Sequence, residues 1–178
     1  MSIIETMRES ANELKKVKVL TGSALLAAMN IILDFMRIVV STTLEISFAF
    51  LALAVAGMFY GPVVAAIIGG GADILAFFLK PNGFFFPGFT LNAALSGFIY
   101  GMFFYKKQIT LKRVALAVFV SSFTINIILT PIWLNMMYGT ALFAVPRVIK
   151  NIIQYPINVA LCYIVCKNVS IVRSKILN

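Results

Sequence analysis

Six apolar runs, at 17–36, 46–60, 62–79, 90–105, 114–138 and 143–166, occupy most of the chain. The segments between them are Arg37 to Glu45, Gly61-Pro62, Lys80 to Phe89, Lys106 to Arg113 and Gly139 to Leu142. A helix rises about 1.5 Å per residue, so crossing a hydrocarbon layer of about 30 Å takes about 20 mostly apolar residues. In lipid every backbone N–H and C=O must bond within the protein, so runs of this kind read as helices. The expected fold is an all-α integral membrane protein, a six-transmembrane-helix bundle. Several runs are short for a straight crossing and contain or adjoin Gly and Pro, which predicts tilted or broken helices around a cavity. No internal repeat is visible, so an inverted-repeat secondary transporter gains no support.

Composition agrees. Of 178 residues, 61% are hydrophobic and 12% charged, with mean hydropathy +0.99, outside the range of soluble globular domains. The net charge of +9 invites a nucleic-acid reading. The basic residues, however, lie between the apolar runs and form no patch with interleaved aromatics, so no nucleic-acid partner is expected. Topology accounts for them better. With the N-terminus in the cytoplasm, the inner side receives Arg8, Lys15, Lys16, Lys18, Lys106, Lys107, Lys112, Arg113, Lys167, Arg173 and Lys175. The outer side receives only Arg37, Lys80, Arg147 and Lys150. This positive-inside bias predicts a multi-pass protein of the cell membrane with both termini cytoplasmic.

Residues 1–16 carry Ile3, Ile4, Met7, Ala11 and Leu14 at helical spacing, which predicts an amphipathic interfacial helix. Acidic residues in this segment argue against a cleaved signal peptide. Residues 17–166 are then the six-helix membrane domain, and 167–178 a basic cytoplasmic tail.

The four outer cations are not required by topology and mark a candidate anion site. Arg147, Lys150, Asn151, Gln154 and Asn158 share one helix face by their spacing. Each charge near the bilayer centre costs about 2.5–3.5 kcal/mol, so such a stripe should face a cavity or a partner. Asp73 follows Gly69-Gly70-Gly71 inside the third run, where it must pair with a cation such as Arg147 or Lys150, or accept hydrogen bonds from a ligand. Both readings stay open. From Lys80 to Ala93 the chain reads KPNGFFFPGFTLNA. Its Phe84, Phe85 and Phe86 suit either an interfacial belt or stacking on a flat ring, and Thr90 and Asn92 add hydrogen-bonding groups at a helix start. Asp34 and Glu45 flank the first external loop.

Enzymatic chemistry has little to work with. The chain has no His and no GxxxxGK[ST] phosphate loop. Cys162 and Cys166 are two thiols without nearby ligands and read as packing residues. No catalytic residue, metal site or cofactor is expected.

Taken together, the six-run layout, the compact length and the segment Phe86-Pro87-Gly88-Phe89-Thr90 followed by Asn92-Ala93 resemble a known family. It is the substrate-binding S components of energy-coupling-factor vitamin transporters, and within it the folate-binding members. The resemblance implies capture of folate on the external side, with energy from a membrane coupling subunit and two ATP-binding-cassette ATPases. It also implies that the S component topples in the bilayer to release its vitamin. Ala24 and Ala28 look like the family's AxxxA pattern, which implies contact with the coupling subunit. Against folate's chemistry, Asp73 suits the pterin donors, and Phe86, Phe89 and Trp133 suit its rings. Arg37, Lys80, Arg147 and Lys150, with Asn151, Thr90 and Asn92 nearby in sequence, suit the rest of the site. An S component for another flat vitamin or base, and a membrane assembly subunit without a ligand, remain alternatives.

Overall fold

The computed structural model describes residues 3–41, 44–81, 84–139 and 145–177, with the side chains of 38–46, 145–147 and 173–177 outside that description. Each apolar run becomes a helical rod. A first helix, α1 (Ile3–Glu13), precedes α2 (Val17–Phe35), and a two-stranded hairpin, β1 (Ile38–Ser41) with β2 (Leu44–Ile46), follows. Next come α3 (Ala49–Tyr60), α4 (Pro62–Leu79) and α5 (Pro87–Phe104). α6 (Leu111–Ser121) continues through a π-helical stretch, Ser122–Leu129, into α7 (Thr130–Tyr138), and α8 (Val145–Leu177) ends the chain.

The all-α expectation therefore fits the bundle but not residues 38–46. There the β-branched Ile38, Val39 and Val40 favour extended backbone, and the strands pair antiparallel with Ile38 opposite Ile46. Among the described residues, four helical segments are long and apolar enough to cross a membrane: Val17–Phe35, Pro62–Leu79, Leu111–Tyr138 and Val148–Val172. α3 is apolar but has 12 residues, so it spans only about 18 Å. α5 has 18 residues, with Thr90, Asn92 and Ser96 along it. Large apolar side chains such as Leu25, Ile67, Phe78, Leu116 and Ile152 point outward, as they would toward lipid.

One end of the bundle is solid. Leu53, Ala54 and Ala56 of α3, Val64, Ala65 and Ile68 of α4, Tyr100 and Phe104 of α5, Val114 and Val118 of α6, and Cys162 and Cys166 of α8 form the buried core. Here α4 and α5 touch backbone to backbone. A Cβ on Gly97 would overlap the carbonyl of Ala65, and one on Gly101 the backbone of Pro62. Without a hydrophobic force between helices in lipid, such close approach is a main source of helix association. A single residue, Gly61 at φ +86°, makes the corner between α3 and α4.

α1 is seated on this corner. Ser10 is fully buried, and its Oγ donates to Tyr60 O at 2.8 Å while accepting from Val63 N at 3.1 Å and Val64 N at 3.3 Å. A side chain from a separate helix thus satisfies the free N–H groups that every helix start leaves. The apolar Ile3 and Ile4 of the same helix face outward, while Thr6 and Ser10 face the protein. Glu9 Oε2 pairs with Lys106 Nζ at 2.7 Å, and this hydrogen bond holds the Lys106 ammonium above its ordinary pKa.

Candidate functional site

The opposite end of the bundle is hollow, because small residues replace large ones along the helices that meet there. Ala72 and Ala76 of α4 and Ala93 and Ser96 of α5 face a chamber of about 390 Å³. A second chamber of about 270 Å³ adjoins it, and the two share Asp34, Asp73 and Ala76 in their walls.

The inner chamber is lined mainly by neutral hydrogen-bonding groups. α2 supplies Asn30, α5 supplies Asn92, and Ser121, Ser122, Asn126 and Thr130 come from the α6–α7 rod. α8 supplies Lys150, Asn151, Gln154 and Asn158, so the polar face seen in the sequence turns into this chamber. Asn126 Nδ2 donates to Asn151 Oδ1 at 3.1 Å. The Asn158 Oδ1 is buried and has no hydrogen-bond partner among the described residues, which leaves one acceptor open in the wall. The π-helical stretch supplies Ser122, Ile125 and Asn126 to the lining. π-turns are rare and concentrate at functional sites.

The outer chamber has a different character. Phe35, Phe77, Phe84, Phe85, Phe86 and Phe89 line it together with the cations Arg37 and Lys80. Lys80 Nζ lies 5.9 Å from the centre of the Phe35 ring. Arg37 pairs with Asp34 Oδ2 at 2.9 Å, and Ser47 Oγ donates to Asp34 Oδ1 at 3.3 Å, so Asp34 ties both ends of the hairpin to α2. Asn30 Nδ2 adds a bond to Ala49 O at 2.8 Å.

Asp73 stands where the chambers meet. Its Oδ2 accepts from Thr90 Oγ1 at 2.6 Å, a short bond across α4 and α5, and Oδ1 accepts no hydrogen bond from the described residues. Asn92 is gripped from α7, with Trp133 Nε1 donating to its Oδ1 at 3.0 Å and its Nδ2 donating to Thr130 Oγ1 at 3.2 Å.

Of the residues singled out in the sequence, Asp73, Asn92, Lys150 and Asn151 meet in the inner chamber. Arg37, Lys80, Phe86 and Phe89 meet with Asp73 in the outer one. Thr90 acts through Asp73. Trp133 is in neither lining; it packs behind Phe86 with ring centroids 5.8 Å apart. Arg147 lies in the first turn of α8, and its side chain is outside the described residues. Ala24 and Ala28 are exposed on the outer face of α2, away from the cavity.

Sequence reasoning missed α2's share of the site. Asn30 and Asp34 are four apart on one helix face within an apolar run, the same signal that exposed the α8 stripe. The serines in the lining carried no signal, since small hydroxyl residues are common at membrane-helix contacts.

The chain matches the family described as ECF transporter, substrate-specific component, over residues 18–166. It is 36% identical over 152 residues to a folate transporter, FolT, of Clostridium novyi (strain NT), covering 84% of this chain and 88% of that one. It is 37% identical over 154 residues to the folate transporter FolT of Leuconostoc mesenteroides subsp. mesenteroides, covering 82% of each. A crystal structure of FolT bound with folic acid superposes with TM-score 0.79 at 42% identity, over 84% of this chain and 93% of that one. The family match over residues 18–166 and the relatives at 36% and 37% identity along most of the chain place this protein in the family of ECF transporter substrate-specific components.

Proposed function

We propose that this chain captures folate from outside the cell and hands it to an ATP-driven importer. The observation that carries this reading is the gradient along the cavity. Folate has a flat pterin rich in donors and acceptors, an aromatic middle and a glutamate tail with two carboxylates. The inner chamber, at about 390 Å³, lies within the ~300–1,000 Å³ of small-molecule sites and offers neutral partners for a pterin. Asp73 can accept from the pterin amino group and ring N–H. Phe86 and Phe89 then flank the aromatic middle, and Arg37 and Lys80 in the outer chamber draw the carboxylates. Lys150 serves the inner end, with Arg147 one turn before it. Similarity to a structure holding folic acid supports the same ligand.

In this reading residues 17–166 cross the bilayer six times, with α3 as a short tilted segment. Both termini are cytoplasmic, α1 lies against the inner leaflet, and 167–178 form a basic tail. A membrane coupling subunit contacts Ala24 and Ala28, and two ATP-binding-cassette ATPases supply the energy. Titration of the purified full-length protein in detergent with folate is the test. Saturable binding with a rise in melting temperature is expected. Protection by another flat vitamin or base, and none by folate, would reassign the substrate. The coupling face is tested by Ala24→Trp, which should stop uptake while folate binding stays within about twofold of wild type.

A further inference from the structure

Trp133 is the chain's one tryptophan, and it stands behind the cavity wall. The indole nitrogen can only donate, and it gives its hydrogen to Asn92 Oδ1 at 3.0 Å. Thr130, one turn earlier on α7, accepts from the other end of the amide at 3.2 Å. Turning the amide over would set its NH2 group against the indole N–H, two donors facing each other in a site where Asn92 is only 6% exposed. The amide therefore has one stable orientation. Its second N–H has no partner among the described residues, and Asn92 lines the inner chamber. Gly88 permits the arrangement, since a Cβ there would come within 2.7 Å of Trp133 Cδ2.

We propose that Trp133 is a positioning residue that pins the Asn92 amide so that an N–H donor faces the chamber and bonds an acceptor atom of the ligand. In the folate reading, on which this rests, that atom is a ring nitrogen or carbonyl oxygen of the pterin. The indole thereby sets the polarity of a contact it does not itself make.

The test uses the purified full-length protein in detergent, titrated with folate by calorimetry. Asn92→Asp keeps an acceptor for the indole but offers no donor at neutral pH. It should leave the emission of the sole tryptophan unchanged and lower folate affinity about tenfold or more. Asn92→Leu should lower affinity similarly and also shift the emission, because the indole loses its acceptor. Trp133→Phe should cost about fivefold in the wild-type background and almost nothing further when combined with either Asn92 variant, since the two residues act as one unit. Gly88→Ala crowds Phe86 as well as the indole, so the part of its effect that runs through Trp133 is the part that disappears in the Asn92→Leu background. It should act in the same direction, and it replaces Trp133→Phe if that variant does not fold. Folate affinity unchanged in a folded Asn92 variant, or a Trp133 effect that adds in full to the Asn92 effect, would overturn the proposal. Failure of the wild-type protein to bind folate would instead count against the proposed function.

Discussion

The two ends of the bundle are built from the same helices and have opposite contents. At the end that carries the Gly61 corner, α4 and α5 meet backbone to backbone, and the space between the rods is filled by Val64, Phe104, Val114 and Val118. At the other end the same two helices present Ala72, Ala76, Ala93 and Ser96 to an open chamber. Small residues thus do two different jobs on one pair of helices. Where two backbones touch they close the structure; where no partner side chain fills the gap they open it. The solid end fixes the helix positions around which the hollow end keeps its cavity open.

This contrast can be broken from either side. The largest effect is expected at the solid end, where Gly97→Leu drives a side chain into the Ala65 carbonyl. Overpacking a rigid contact costs about 1–3 kcal/mol or more, and here backbone must move. Loss of a monodisperse peak in size-exclusion chromatography would register it, and a well-folded variant would show that the helices do not depend on this contact.

At the hollow end, Asp73→Asn should spare the fold and cost about 1.5–3 kcal/mol of folate binding, a tenfold loss or more. Its melting temperature without ligand should stay near wild type. If both the fold and the affinity are unchanged, Asp73 has no ligand role. Ser10→Ala sharpens the comparison in the reverse sense. It removes the cap on the start of α4 and should lower stability by about 1–2 kcal/mol in denaturation, with folate affinity within about twofold. A selective loss of affinity would mean that the two ends are coupled.

The smallest effect belongs to the ion pair of Lys106 with Glu9. It is exposed at 52% and 43% of the side chains, so Lys106→Ala should change stability by at most about 0.5 kcal/mol. Because Glu9 raises the Lys106 pKa, this contribution is present at neutral pH and is lost as pH rises through the raised value. Equal melting of wild type and variant at strongly alkaline pH, with the small gap confined to lower pH, is the expected pattern.

Much of this architecture was legible because a charge inside an apolar run is costly enough to demand a reason. Asp73 and, on α8, Lys150, Asn151, Gln154 and Asn158 stood out on that ground, and they do face the cavity. Thr90 and Asn92 were legible as polar groups at a helix start, although their partners were not. Asp34 was read as a loop flank because it ends its run, and so the contribution of α2 was missed. Ser10 carries no signal of its own in a segment that reads as a surface helix. Its buried role depends on the free N–H groups of α4, more than fifty residues away, which no local pattern reports. The π-helical stretch was equally hidden, since an apolar segment of 28 residues has the same composition whichever hydrogen-bond register it adopts. Trp133 was read as a stacking ring from its type alone; its place depends on Gly88 leaving room beside Phe86.

The corner at Gly61 has a mechanical consequence. One residue is too short a tether to let α3 and α4 turn independently, and Ser10 clamps that tether from outside. The pair behaves as a single lever arm. A torque applied to α3 from beside the protein would be delivered to the wall of the chamber rather than absorbed on the way.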